Sequence, residues 1–497
     1  MIVSRNSRFI IFSIIFFCSC SVSKNYRPDK KYPASRLKED YALLRIILEK
    51  KHPSLYWYTS KDSMDYYFDK GYNGIQDSMT ELQFGWKIIA PLLHNIHCGH
   101  TSFSMSKSWD RYVKNRRIPS FPLFLKVWKD TMVVVANVNK KDSVFKKGML
   151  VTGINGVNNA ELIGNIFSYL PQDGYASNVN YIRLSVNFPY YYRNVYGIYK
   201  NYRVSYIDST GAEKNTTLHF YPSPADSLST LQRVGKPVKP KRITRAQRVK
   251  NIRSFNIDSS GTFAVLKLNS FSKGHLRNFY RRSFRTLNQS GIKDLVIDIR
   301  ANGGGEIGNA VALSRYIRSS PFKVADTAVA VSRTLAPYGS HITQHFFNNL
   351  GLLFFTHKKR DGQYHFGYWE RHVFHPNHNL FSGNVYVLIN GYTFSASTLF
   401  CNAVKGQQNV RLMGEEAGGG WYGNSGIFIP DIVLPNTKLR VRLPLFRIVQ
   451  YKHDPANKGL GVPPDIYIGP TIEAAKKDLD LKMEAVKSMI SKQQHLQ

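Results

Sequence analysis

DIRANGGG, residues 298–305, overlaps the end of the apolar run Leu295–Ile299, and NGYTFSAS, residues 390–397, follows a second apolar run, Val385–Ile389. Both runs have the length and composition of buried strands in α/β proteins, and each leads into a loop and a helix-like stretch. Because α/β proteins place reactive groups just beyond such strands, the two loops predict both an α/β core and the position of its site.

The two loops carry complementary chemistry. Three successive glycines, Gly303–Gly305, leave backbone N–H groups free to face a ligand. In the second loop, Ser395 opens a predicted helix at the positive end of its dipole, beside the N–H of Ala396. Alone, each feature is typical of an ordinary turn or a helix N-cap, whereas the pair in this order is far more specific.

The amino-acid composition limits the classes of protein to which this chain can belong. The chain has 497 residues, of which 43% are hydrophobic and 13% aromatic, so wholesale disorder and collagen-like repeats are excluded and roughly three domains are expected. Cys98 and Cys401 are the only cysteines beyond residue 20, which excludes a disulfide scaffold. The net charge is +35, but no nucleic-acid-binding signature accompanies it, so we expect no nucleic-acid partner and instead a surface that tolerates anionic lipid or polysaccharide.

The N-terminus predicts export. Arg5 and Arg8 precede the nine-residue apolar run Phe9–Phe17, which is too short to cross a bilayer. The following Cys18-Ser-Cys20-Ser resembles a bacterial lipoprotein signal, with residues 1–19 removed and Cys20 lipidated. Cys18 fits less well because it follows bulky Phe17. Simple secretion and an uncleaved anchor are the alternatives.

Between the N-terminal segment and the α/β core, the residue pattern of the sequence changes several times. Apolar residues recur at helical spacing from Arg36 to His97, including a capping-box candidate at Thr80 and Gln83, and this stretch ends in Gly99-His100-Thr101. A β-rich module follows, with KGMLVTGING at 147–156 and a hairpin predicted at its Asn-Gly step. Residues 227–254 hold nine Lys/Arg and no acidic residue, which predicts a linker or exposed loop.

Five motifs, in this order along the chain, resemble those of the S41 serine peptidases, which include the C-terminal processing proteases and the tricorn core protease. The motifs are Gly-His-Thr, KGMLVTGING, DIRANGGG, Ser-Ala-Ser and the closing Gly-Val-Pro-Pro-Asp at 461–465. The resemblance implies an α/β, crotonase/ClpP-like peptidase core with an N-terminal helical domain and a PDZ-like β-rich domain. The expected segments are: signal peptide 1–19, helical domain 20–105, PDZ-like domain 106–222, basic linker 223–257, peptidase core 258–470 and C-terminal helix 471–497.

The resemblance also implies roles for residues. Ser395 is expected to be the nucleophile, with an oxyanion hole from the N–H groups of Ala396 and Gly304, or Gly303 as second choice. Processing proteases of the Ser-Lys type place a lysine 25 residues after the nucleophile, where this chain has Gly420, and Lys405 cannot be assumed to replace it. The tricorn branch uses a histidine of the helical domain, which here is His100, and an imidazole can activate a serine near neutral pH.

A third residue should orient the imidazole. The tricorn pattern has a glutamate shortly before Gly-Val-Pro-Pro-Asp, and this chain has none there. Asp454 is the nearest carboxylate, although it is equally suited to capping the turn before Pro455. Asn457 and Glu415 or Glu416 remain alternatives. His94 and His97, spaced by three residues from each other and from His100, lack a supporting ligand set, so we expect no metal and no cofactor.

The sequence thus predicts a serine endopeptidase in the cell envelope, anchored by lipid to the outer membrane, which forms an acyl-enzyme on Ser395. Its partners are expected to be a polypeptide substrate, bound through its C-terminus by the PDZ-like domain, and the membrane. Two rival hypotheses are a catalytically inactive binding protein on the same scaffold and an adhesin driven by the positive charge.

Overall fold

The computed structural model describes residues 26–114, 116, 118–139, 142–219, 243–451 and 454–494. The predicted signal peptide and Cys20 therefore lie outside the described residues, as does most of the predicted basic linker. Within the described ranges, no helix combines the length and apolar composition that a membrane span requires.

The N-terminal region is helical, as its spacing predicts. Thr80 and Gln83 form the predicted capping box at the start of α3, and the π-helical turn Gly85–Ile89 joins α3 to α4. His100 lies in the loop between α4 and β3. The elements are β1 (Lys31–Tyr32), α1 (Ala34–Lys51), α2 (Lys61–Asn73), β2 (Met79–Thr80), α3 (Glu81–Phe84), α4 (Ala90–His94), β3 (Phe103–Ser104) and α5 (Lys107–Val113).

A β-rich module follows, and its main sheet has the strand order β4-β5-β6-β8-β9, with β7 paired to β6. Asn155 and Gly156 have φ of 53° and 82°, the left-handed conformations that a tight hairpin turn needs, so the Asn-Gly prediction is confirmed. The elements are β4 (Leu123–Trp128), β5 (Thr131–Asn137), β6 (Leu150–Ile154), β7 (Val157–Asn158), α6 (Asn159–Phe167), α7 (Asn178–Tyr196), β8 (Asn201–Ile207) and β9 (Glu213–His219).

The rest of the chain is an α/β core built on a mostly parallel sheet of order β10-β11-β12-β16-β17-β22, in which only β10 runs antiparallel to its neighbour. Its elements are α8 (Arg245–Ile252), β10 (Arg253–Ile257), β11 (Phe263–Leu268), α9 (Leu276–Gln289), β12 (Asp294–Asp298), α10 (Ile307–Ser314), β13 (Ala325–Ala330), α11 (His345–Phe355), β14 (His357–Lys358), β15 (Tyr364–His365), α12 (Gly367–Arg371), β16 (Asn384–Ile389), α13 (Ala396–Val404), β17 (Val410–Gly414), β18 (Gly423–Gly426), β19 (Asp431–Val433), β20 (Arg440–Arg442), β21 (Phe446–Gln450), β22 (Ile466–Tyr467), α14 (Ile472–Lys477) and α15 (Leu481–Gln494).

A second, antiparallel sheet of order β14-β15-β13-β21-β18 connects the core to the N-terminal helices. Leu44 and Leu48 of α1 belong to the same buried cluster as Ala328 of β13 and Ile448 of β21. In addition, β3 pairs with β20. The helical region therefore shares its hydrophobic core with the peptidase region, and this shared packing fixes where the loop carrying His100 lies.

The C-terminal part of the predicted basic linker, which the structure describes, forms a helix and a strand. Residues 245–252 form α8, and Arg253–Ile257 pair with β11 as the edge strand of the main sheet. No residue of α8 is buried, so this helix has the exposure that the charge pattern predicts. The expectation of an unstructured linker up to residue 257 is corrected, because Phe255 packs partly buried against the main core.

Candidate active site

The two loops singled out in the sequence lie side by side. β12 and β16 are parallel neighbours in register from Asp294↔Asn384 to Asp298↔Leu388, so both chains leave the sheet at the same edge. The loops then contact directly, since Phe394 N–H donates to the Asn302 carbonyl oxygen at 3.3 Å. The site thus lies beyond the carboxyl ends of adjacent strands, where the sequence predicts it.

Ser395 has a strained backbone. Its φ of 57° and ψ of −121° are unfavourable for a residue with a side chain, a state that costs on the order of 1–3 kcal/mol and is typical of functional sites. It is partly exposed, whereas Ala396 and Ser397 are buried in α13. The turn therefore presents the Ser395 side chain at the start of a helix whose next residues are held in the core.

The glycine loop approaches Ser395 closely. A Cβ added to Gly304 would lie 2.7 Å from Ser395 Cβ and 2.8 Å from the Phe394 carbonyl oxygen, and Gly304 has φ +102°. Only glycine fits there. The Gly304 N–H, however, donates to Asn302 Oδ1 at 3.0 Å. Of the two loop donors considered in the sequence, the preferred one is therefore already used in this state.

His100 is brought to this loop from the N-terminal region. Its ring packs on Phe394, the residue before Ser395, with the ring centroids 4.8 Å apart. The side chain is buried, and among the described residues neither ring nitrogen has a hydrogen-bond partner. Burying an imidazole with neither nitrogen hydrogen-bonded costs free energy of folding. A catalytic role is one explanation for such an unpaired buried group.

Asp173 is the carboxylate beside His100, and sequence reasoning missed it. Its Oδ1 lies 3.8 Å from His100 Nδ1 and accepts the Gly99 N–H at 2.7 Å, while its Oδ2 accepts the Gly420 N–H at 3.3 Å. The carboxylate is buried at 2% exposure. Three distant parts of the chain therefore converge on one side chain, and catalytic hydrogen bonds of this length in a ligand-free site can shorten when substrate binds.

The loop that carries Asp173 is held to the helical region by the other two histidines. His94 Nδ1 binds the Leu170 carbonyl oxygen at 2.8 Å, and His97 Nδ1 binds the Gly174 carbonyl oxygen at 2.9 Å. Burial lowers the pKa of both imidazoles, which favours their neutral forms. They support the loop and do not converge on a common point with His100 in any described contact.

The lysine position of the Ser-Lys branch cannot hold a side chain here. A Cβ on Gly420 would lie 2.1 Å from the Gly423 carbonyl oxygen. Lys405, the other lysine considered, forms an ion pair with Asp465. Asp173 thus faces the backbone where that branch has its lysine.

The carboxylates proposed from the sequence have other partners. Asp454 is exposed and accepts the Ala456 N–H at 2.9 Å, so it caps the turn before Asn457, which is the alternative reading of that residue. Glu416 accepts the Gly461 N–H at 2.6 Å, and Glu415 pairs with Lys482 at 2.7 Å. None of these three carboxylates has a described contact with His100, and neither has Asn457.

Cys98 adjoins the same cluster. Its sulfur, a His100 nitrogen and an Asp173 oxygen lie within 4.8 Å of one another, which is a ligand set that zinc accepts. Burial, with the Asp173 charge as a second cause, raises the pKa of the Cys98 thiol to about 11. This favours the protonated thiol, which is neither a nucleophile nor a metal ligand.

The site combines a serine in a strained strand-to-helix turn, a glycine-rich backbone loop beside it and a buried histidine next to a carboxylate. These features are typical of serine hydrolases built on an α/β core. Residues 262–468 match the model of Peptidase family S41. The matched residues form the α/β core that carries both loops of the site, and this core is similar to those of the S41 serine-type peptidases. No curated protein matches the sequence.

The structures of mature CPAF share the fold over most of the chain. Mature CPAF complexed with lactacystin aligns at 13% identity with a TM-score of 0.61, covering 92% of this chain and 98% of that one. Mature CPAF alone gives 13% identity and 0.60, covering 92% and 96%. The tricorn protease gives 14% identity and 0.41, covering 92% of this chain and 37% of its own.

Proposed function

We propose that this chain is an endopeptidase that cleaves polypeptides through an acyl-enzyme on Ser395, with His100 as general base and Asp173 as the residue that orients His100. The observation that carries the proposal is the buried imidazole between Phe394 and Asp173, with neither nitrogen in a described hydrogen bond. The imidazole has the Asp173 carboxylate near its Nδ1, and its ring packs against Phe394, the residue before Ser395.

In the proposed reaction, Ser395 Oγ attacks the substrate carbonyl carbon and its proton passes to His100. The imidazolium then gives that proton to the leaving amine, and water repeats the sequence to release the acid. Asp173 acts by holding the imidazole with Nδ1 protonated, which leaves Nε2 free to accept. Its two backbone donors, Gly99 and Gly420, keep the carboxylate in place.

The oxyanion needs donors fixed in advance. Ala396 is the first residue of α13, and its N–H has no described hydrogen bond. This N–H is therefore available at the helix N-terminus. The second donor in our proposal is Gly303 N–H, which also has no described partner, because Gly304 N–H is bound to Asn302. Each such donor is worth about 10²–10³ in rate.

The test is labelling with a fluorophosphonate probe followed by peptide mapping. We expect the label on Ser395 and none on a Ser395→Ala variant. Ser397→Ala is a matched control, since its hydroxyl lies two residues away, is buried and has no hydrogen-bond partner in the described structure, so it should label like the parent. An unlabelled folded protein would favour the inactive binding protein instead.

We also propose that the peptidase acts in the cell envelope as a lipoprotein anchored at Cys20. The support is the sequence alone: a basic start, the apolar run Phe9–Phe17 and Ser19 before Cys20. In cells, Cys20→Ala should accumulate as an unprocessed precursor, whereas Cys18→Ala should be processed normally. Fatty-acid label on the Cys20→Ala protein would contradict this.

A further inference from the structure

Helix α11 exposes an unusual amount of apolar surface. Its sequence is HFFNNLGLLFF, and Phe346, Phe347 and Phe354 are 61%, 73% and 74% exposed. Leu350, Leu353 and Phe355 are exposed as well. The proposed catalytic residues make no described contact with this helix. Contiguous exposed apolar patches of this kind mark sites of interaction.

Five of the six exposed apolar residues share one face of the helix, and the sixth, Phe355, lies on the other side and stacks on Phe366. At about 3.6 residues per turn, the five occupy an arc of roughly 120°; the members are Phe346, Phe347, Leu350, Leu353 and Phe354. The opposite face is buried, and a Cβ on Gly351 would lie 2.6 Å from the ring of Phe428. The helix therefore packs against the protein through Asn348, Gly351 and Leu352, and its phenylalanine face is turned to solvent.

This exposure belongs to an anchored helix. Arg333 donates to the Leu353 carbonyl oxygen at 2.7 Å, and Thr356 Oγ1 donates to the Leu352 carbonyl oxygen at 2.5 Å, so two of the last carbonyls are satisfied. Near the other end, Asn348 donates to the Gln344 carbonyl oxygen at 2.9 Å. The apolar face is consequently held in position.

The sequence around α11 is mostly basic, and Asp326 and Asp361 are the nearest acidic residues on either side of it. From Thr327 to Arg360 the sequence contains no Asp or Glu and four basic residues: Arg333, Lys358, Lys359 and Arg360. The last three follow the helix directly in the β14–β15 hairpin, where all three are exposed. Lys359 pairs with Glu370, and Lys358 and Arg360 have no ion pair in the described structure.

We propose that α11 lies in the interface of an anionic lipid bilayer, with its phenylalanine face among the acyl chains and the Lys358–Arg360 hairpin at the lipid headgroups. An amphipathic segment with Phe and Leu on one side and basic residues beside it is the chemistry that anionic bilayers bind. A second copy of this chain fits less well, because a self-complementary contact would bring together two hairpins in which Lys358 and Arg360 have no ion pair in the described structure. Eleven residues span only about 16 Å, so the contact is interfacial. The inference does not depend on lipidation of Cys20.

The experiment uses the non-lipidated chain from Ser21 onward, which retains every described residue. Co-sedimentation is measured with vesicles of phosphatidylcholine plus phosphatidylglycerol and of phosphatidylcholine alone. The triple variant Phe346→Ser, Phe347→Ser, Phe354→Ser should bind mixed vesicles at least about tenfold more weakly. A matched control replaces three exposed apolar residues elsewhere, Tyr66→Ser, Val186→Ser and Tyr467→Ser, and should bind like the parent.

A second variant tests the charge. Lys358→Gln with Arg360→Gln should weaken binding to mixed vesicles and abolish the preference for them over phosphatidylcholine alone, with the fluorophosphonate reaction unchanged. The proposal is overturned if the parent does not sediment with mixed vesicles, or if the triple variant binds as well as the parent. A parent dimer that the triple variant loses, without vesicle binding, would assign α11 to a second copy instead.

Discussion

His100→Ala is expected to slow acylation of Ser395 by at least about 10³, with the overall fold retained. Without a base, the serine hydroxyl must lose its proton to water, while the backbone donors at Ala396 and Gly303 would still stabilise the oxyanion. The measurement is the second-order rate of fluorophosphonate labelling, alongside turnover of a peptide substrate.

Lys405→Gln is the control that separates a histidine base from a lysine base. Lys405 is ten residues after Ser395, but its ammonium pairs with Asp465, so we expect activity within about threefold of the parent. The opposite pattern, with His100→Ala nearly unchanged and Lys405→Gln inactive, would mean that a lysine activates the serine. That result would return the chain to the Ser-Lys branch.

The position of the nucleophile loop could be predicted from the sequence because its cause is local. Leu295–Ile299 and Val385–Ile389 are short apolar runs, and such runs form neighbouring buried strands whose ends meet at one edge. The register of β12 and β16 then brings Gly304 against Ser395. The turn at Asn155 and Gly156 and the capping box at Thr80 were predictable for the same reason, since a few adjacent residues determine each of them.

Contacts between distant parts of the chain could not be predicted in this way. Asp173 lies in a Gln-Asp-Gly turn that resembles many surface loops, and its partners Gly99 and Gly420 are 74 and 247 residues away. The segment that the family resemblance indicated is close by, since Tyr175 N–H donates to the Gly459 carbonyl oxygen at 2.8 Å. The carboxylate that we propose to orient His100 therefore lies in a different loop, which contacts the segment that the resemblance indicated.

The hydrogen bond of the Gly304 N–H could not be predicted from the sequence either. Gly303 and Gly304 are both free of side chains, and nothing in DIRANGGG distinguishes their N–H groups. The buried side chain of Asn302 makes the difference, because its Oδ1 accepts the Gly304 N–H. A side chain that folds back onto its own loop depends on the packing around it, which here includes Phe394 from the second loop.

Asp173→Asn is expected to lower kcat by about 10²–10⁴ with little change in KM. An asparagine at this place can still accept one backbone N–H, but its amide group faces either Gly420 or His100 as a donor. Beside His100, it favours the imidazole tautomer that carries the proton on Nε2, which cannot accept the Ser395 proton. Fluorophosphonate labelling should slow in parallel with kcat, because both reactions need the same proton transfer.

Two further variants decide whether Asp173 acts through His100 or only supports the fold. Asp454→Asn should remain within about threefold of the parent, because that exposed carboxylate caps a turn and touches neither catalytic side chain. The double variant His100→Ala with Asp173→Asn should be no slower than His100→Ala alone, since an orienting carboxylate has no effect once the imidazole is gone. If the two losses multiply, Asp173 acts by holding Gly99 and Gly420 in place, and the charge that orients His100 must come from another residue.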